Sequence, residues 1–143
     1  MPKQSEILLV EDDPNDVELA MRSLRSGKLG NRIRIARDGE EALELLFGKG
    51  SSPGGPPYLP QLILLDLKLP KVDGLQVLKR IKNDPRTKII PVVILTSSWE
   101  EEDLINGYQL GVNSYIQKPV DFDQFRQIVK QLGLYWLVLN EAP

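Results

Sequence analysis

The segment Gln61-Leu62-Ile63-Leu64-Leu65-Asp66-Leu67-Lys68-Leu69-Pro70 constrains the fold more than any other, because four successive apolar residues end on a carboxylate with a proline just beyond. A short continuous apolar run bounded by turn signals predicts a strand covered on both faces, as the central strand of a parallel sheet is. Open α/β sheets place their chemistry at the C-terminal ends of such strands, so Asp66 stands where a reactive group is expected.

Further apolar runs at Ile7 to Val10, Ile33 to Ala36, Val92 to Leu95 and Tyr115 to Ile116 are short and separated by longer stretches of helical periodicity. Val17, Leu19, Ala20 and Leu24 mark one predicted helix, and Ala42, Leu43, Leu45 and Leu46 a second. Leu75, Val77, Leu78 and Ile81 mark a third, Leu104 to Leu110 a fourth and Phe122 onward a fifth. Asp13-Pro14 is a helix-entry pair, with Asp13 as the cap and proline in the first turn. The order is βα repeated five times, which predicts an α/β doubly wound three-layer sandwich with a crevice at the strand C-termini. Glu11-Asp12-Asp13, Asp66, Thr96-Ser97 and Lys118-Pro119 follow strands and are expected to meet there. Gly48 to Pro60 (GKGSSPGGPPYLP) is too rich in proline and glycine for a helix and is expected to be a surface loop.

Composition removes several kinds of chemistry. The 143 residues, 41% hydrophobic, suit a single domain over 1–143 with an ordinary core. With 18 basic and 20 acidic residues and no basic block, the chain is not expected to bind nucleic acid. It has no cysteine, which fits a cytoplasmic protein, and no histidine, which excludes a Ser-His-Asp triad and any phosphohistidine within the chain. No signal peptide is expected before the first strand, and no apolar stretch approaches the roughly 20 residues of a membrane span. Crowding has its own consequence: two carboxylates about 4 Å apart repel by about 4 kcal/mol at an effective dielectric near 20, so Glu11, Asp12 and Asp66 together call for a cation. Oxygen donors without histidine or cysteine favour Mg2+, with Mn2+ as the alternative.

The motifs LLVEDD, LILLDLKLPKVDG, VVILTSS and YIQKP occur in order at the ends of the first, third, fourth and fifth predicted strands, and with them the chain resembles a response-regulator receiver domain over nearly its whole length. The resemblance implies a flavodoxin-like sheet of order 2-1-3-4-5. It implies that Asp66 accepts a phosphoryl group as an acyl phosphate, and that Asp12 and Asp66 bind the metal directly with the Lys68 backbone carbonyl, Glu11 assisting. Lys118 and Thr96 would contact the phosphoryl oxygens. Lys68 and Ser98 would occupy positions that tune hydrolysis, and Ser97 stands where alanine is common. By the same resemblance Thr96 moves toward the phosphate and Tyr115 turns inward as the switch. Pro70 and Asp73-Gly74 fit the loop after the acceptor strand, where Gly74 permits a tight turn into the third helix. The chain would then be a phosphorelay signalling domain, not an enzyme beyond its own phosphotransfer and slow autodephosphorylation. Its donor, given the missing histidines, would be a separate sensor histidine kinase.

Two other readings compete. A Mg2+-dependent aspartyl phosphatase of the haloacid-dehalogenase type also uses an aspartate after a parallel strand, but it normally carries a second acid two residues later, where this chain has Lys68. A receiver-like binding scaffold that is never phosphorylated is the other. A flavin-mononucleotide carrier is disfavoured, because Glu11-Asp12-Asp13 would repel its phosphate.

The C-terminal segment adds a feature of its own. Asp121 with Gln124 makes a capping-box-like start, and Phe122, Phe125, Val129, Leu132, Trp136 and Leu139 follow in three- and four-residue steps. The apolar extension over 133–143 carries Tyr135, Trp136, Leu137, Val138 and Leu139, each of which would gain roughly 1.5 to 3 kcal/mol on burial. A homodimer with Tyr135, Trp136, Leu137 and Leu139 in its interface is expected, folding back on the same domain being the alternative. Gly133 is expected to break or bend the helix before them. This ending and the Pro/Gly-rich loop are most similar to the stand-alone regulators of cyanobacterial phytochrome-type histidine kinases, which implies a phytochrome-type partner and an unidentified downstream protein.

Overall fold

Alternation along five short strands divides the apolar residues between two layers. The computed structural model describes residues 6–29, 32–48, 58–67, 73–96, 109 and 111–134. Strands β1 (Ile7–Val10), β2 (Ile33–Ala36), β3 (Leu62–Asp66), β4 (Val92–Thr96) and β5 (Ser114–Gln117) pair in parallel in the order β2-β1-β3-β4-β5. Ile7, Leu9, Leu62, Leu64, Val93, Leu95 and Ile116 face helices α1 (Pro14–Ser26) and α4 (Phe122–Gln131), against Ala20, Leu24, Phe125, Ile128 and Val129. Leu8, Val10, Ile63, Leu65, Val92 and Ile94 face α2 (Gly39–Phe47) and α3 (Gly74–Asn83), against Ala42, Leu46, Val77, Leu78 and Ile81. This is the expected three-layer sandwich. The helix expected over 104–110 falls almost wholly outside the described residues.

Aspartates start all four described helices. Asp13 Oδ1 accepts from the Asn15 and Asp16 amides at 2.8 and 3.3 Å, with Pro14 in the first turn, so the third acid of the triplet is the cap that its position suggested. Asp38, Asp73 and Asp121 cap α2, α3 and α4. The full reciprocal capping box occurs at Asp73 and Gln76.

Two sequence expectations need revision, at Gly74 and in the 48–60 loop, and one, at Gly133, is met. Gly74 does not adopt a positive φ; it lies where an added Cβ would come within 2.4 Å of Leu67 Cα and 2.6 Å of the Asp66 carbonyl oxygen. Its role is therefore close backbone approach between α3 and the end of β3, not turn conformation. At the C-terminal helix the expected break is found: α4 ends at Gln131, just before Gly133. Gly133, at φ 78°, ends α4 with bonds from its own amide to Lys130 O at 3.0 Å and from the Leu134 amide to Val129 O at 2.8 Å. That pair is a Schellman motif, and Trp136 and Leu139 lie outside the described residues. Of the 48–60 loop, Tyr58 is buried in the core, its amide bonded to Leu45 O at 3.3 Å and its ring beneath Arg34, so this end of the loop is anchored; residues 49–57 lie outside the described set.

Candidate functional site

The chain passes from β1 outward to β2 and then returns to β3 on the other side of β1, so a crevice opens between the C-terminal ends of β1 and β3. Register carries the site into it. Val10 pairs with Leu65, and the next step places Glu11 level with Asp66; the Glu11 amide continues the ladder through a 3.0 Å bond to Ala36 O. At the far side of the crevice the Lys118 amide bonds Thr96 O at 2.7 Å, tying the end of β5 to β4, and the Lys118-Pro119 peptide is cis. Glu11, Asp66 and Lys118 share strand parity with Leu9, Leu64 and Ile116, so all three extend the α1/α4 face of the sheet.

Lys118 Nζ is the hub. It donates to Glu11 Oε1 at 3.0 Å, Asp66 Oδ2 at 3.1 Å and Asp16 Oδ2 at 2.9 Å. Glu11 is 1% exposed and Asp66 5%, so these are charges largely removed from water and held by mutual pairing. The second Glu11 oxygen accepts from the Asp13 amide at 3.2 Å. Burial, then the charge of Asp66, pushes the Glu11 carboxyl up to about 7, with the Lys118 hydrogen bond working the other way. For Lys118 burial opposes the ammonium, but the hydrogen bonds to Asp16 and Glu11 and the charges of Asp66 and Glu11 outweigh it and raise its pKa above the ordinary lysine value.

Glu11, Asp12 and Asp66 each offer a carboxylate oxygen, all within 4.8 Å of one another, with Asp12 the most open of the three. Three convergent hard oxygens, two of them buried, fit a Mg2+- or Mn2+-type cation. The structure thus brings together Glu11, Asp12, Asp66 and Lys118. Thr96, at the end of β4, has the parity of Ile94 and lies diagonally from Tyr115, which is buried at 7% exposure in the α2/α3 layer. These two share a face of the sheet opposite to that of Asp66. Lys68, Ser97, Ser98, Pro70, Tyr135, Trp136, Leu137 and Leu139 lie outside the described residues. Sequence reasoning missed Asp16. Its only local signal was an acid in a helix's first turn, which the helix dipole favours anyway, and Lys118 is 102 residues away along the chain.

A five-stranded parallel sheet that gathers carboxylates and one lysine at its switch point is the architecture of a phosphoacceptor signalling domain. The chain belongs to that class: the response regulator receiver domain family matches residues 7–130. Among its relatives, the probable methanogenesis regulatory protein FilR2 of Methanothrix harundinacea is 43% identical over 96% of this chain and 86% of its own length. The response regulator Rcp1 of Synechocystis sp. is 41% identical over 96% and 92%, and its Mn2+-bound structure superposes with a TM-score of 0.72 at 40% identity over 99% of each chain. The bacteriophytochrome response regulator AtBRR has a TM-score of 0.81 and 49% identity, covering 98% of this chain and 100% of its own. Receiver domains act in two-component signalling, and aspartate phosphorylation and divalent-metal binding are general among them. Among the described residues no helix is long and apolar enough to cross a membrane.

Proposed function

We propose that this chain is a single receiver domain that takes a phosphoryl group on Asp66 from the phosphohistidine of a separate sensor histidine kinase of phytochrome type, and signals through a changed protein-binding face. The observation that carries this reading is the buried Asp66 carboxylate paired with Lys118 beside Glu11. In the transfer, an Asp66 oxygen forms a bond to phosphorus as the donor's P–N bond breaks, the imidazole nitrogen keeping the electron pair. Asp12 and Asp66, with the Lys68 carbonyl and Glu11 assisting, would hold Mg2+, which would supply charge neutralisation for the transferred oxygens. Lys118 brings a fixed ammonium to the same oxygens, and Thr96, which lies on the opposite face at the end of β4, turns toward them to supply a hydroxyl donor. The phosphoryl group carries roughly -1.5 to -2 charges, drawing Thr96 and Lys118 to a new partner. Tyr115 shares the Thr96 face, which supports its role as the second switch residue. The chain's lack of histidine is consistent with a donor acting in trans. The phytochrome-type partner rests on the likeness to AtBRR and Rcp1.

The chain further pairs as a homodimer through Tyr135, Trp136, Leu137 and Leu139. Support comes from the last described residue, Leu134, which lines a groove of about 340 Å³ with exposed Ile89 and Leu59, Pro60 and Pro91, alongside Gln61 and Arg86. The deciding assay is incubation with acetyl phosphate and Mg2+ followed by intact mass. Wild type is expected to gain one phosphoryl group and Asp66→Asn none; equal gain, or none on wild type, would overturn the acceptor assignment.

A further inference from the structure

Lys118 has three carboxylate partners, and they are not equivalent. Glu11 and Asp66 also belong to the group of acids that fits a cation, whereas Asp16 does not. A divalent ion drawing on Glu11 and Asp66 leaves Asp16 as the one carboxylate among these three whose charge remains wholly on the ammonium. The Asp16 bond is also the shortest of the three, at 2.9 Å. Its backbone is fixed in the first turn of α1, with its amide bonded to the Asp13 cap. A lysine on a flexible four-carbon stem needs such an anchor if its charge is to stay in one place. We propose that Asp16 is a positioning residue that tethers the Lys118 ammonium over Asp66 independently of the metal, so that the charge is already in place for the incoming phosphoryl oxygens. The proposal rests on the reading of Asp66 as the acceptor.

The test compares wild type with Asp16→Ala, Asp16→Glu and Asp12→Asn, all checked for folding by circular dichroism. The first readout needs no phosphorylation: reductive methylation of Lys118 at saturating Mg2+, followed by peptide mass. Loss of a charge-assisted hydrogen bond is expected to make Lys118 react about tenfold faster in Asp16→Ala, with the longer carboxylate of Asp16→Glu restoring most of the protection. The second readout is the initial rate with acetyl phosphate. Asp16→Ala is expected to slow it about tenfold with the half-saturating Mg2+ concentration unchanged, whereas Asp12→Asn raises that concentration. Unchanged Lys118 reactivity in Asp16→Ala overturns the tether. So does a Mg2+ shift equal to that of Asp12→Asn, which would make Asp16 a ligand. Wild type that takes no phosphate while Asp16→Ala still unmasks Lys118 overturns the acceptor reading and leaves the tether standing.

Discussion

Gly74 shows how one absent methyl group can place a reactive carboxylate. Its amide bonds Leu67 O at 3.1 Å, and the atoms that a Cβ would meet belong to the Asp66-Leu67 backbone, which cannot swing aside as a side chain could. Gly74→Ala is therefore expected to push α3 off the end of β3, costing about 2 kcal/mol and slowing acetyl-phosphate labelling; urea titration and initial rates would measure both, and wild-type values in each would discredit the close-approach account. Asp66 is expected to trade stability for function. Its charge is one of the causes that raise Glu11, so without divalent cation Asp66→Asn should be more stable than wild type by about 1 kcal/mol. Mg2+ should raise the wild-type melting temperature and leave the variant's unchanged; a variant less stable in chelator would count against carboxylate repulsion. Glu11, Asp12, Asp66 and Lys118 were legible in the sequence because each directly follows an apolar strand. Asp16 was not, since its partner Lys118 lies 102 residues away along the chain and meets it only through the packing of α1 on the sheet, and the turn reading of Gly74 failed because the obstacle is backbone from another element.

At the level of elements, the helix ends are written in local chemistry. Both α1 and α4 close in Schellman motifs that return a leucine to the same core layer. At α1 the bonds run from Lys28 N to Arg25 O at 2.9 Å and from Leu29 N to Leu24 O at 3.0 Å; at α4 Leu134 takes the place of Leu29. The left-handed position is Lys28 in one, at φ 67°, and Gly133 in the other. Lys28→Gly should relieve left-handed strain and stabilise by about 0.5 kcal/mol after its larger unfolded-state entropy is counted. Gly133→Ala, with no atom near its Cβ, should destabilise by about 1 kcal/mol through strain alone. Shifts of the two denaturation midpoints in the same direction would contradict this account. The strand and helix starts were recoverable from sequence for the same local reason: aspartate caps, Pro14 and unbroken apolar runs act within a few residues. The end of α4 was half legible. Gly133 was recognisable as a breaker, but a three- and four-residue stripe continues in sequence regardless of whether the backbone does.

For the whole molecule, the outstanding consequence is association. The apolar sequence Tyr135, Trp136, Leu137, Val138 and Leu139, together with an Ile89 that is 78% exposed, should drive pairing, and light scattering at tens of micromolar should return twice the 16.1 kDa chain mass. Trp136→Ala should shift the protein toward the single-chain mass; an unaltered dimer would place the interface elsewhere. By itself the sequence determined the order of elements, the two-sided burial of the central strand, the exclusion of histidine and cysteine chemistry, and the acids that end β1 and β3, because all of these depend on residue type and near-neighbour spacing. Only the tertiary structure decided that one ammonium is shared by Glu11, Asp16 and Asp66, that Thr96 and Tyr115 lie on the opposite face, and that Gly74 is pressed against the acceptor's backbone. Those arrangements depend on the register of separate strands and the lie of helices across them, and such contacts join residues whose separation in sequence carries no trace of their distance in space.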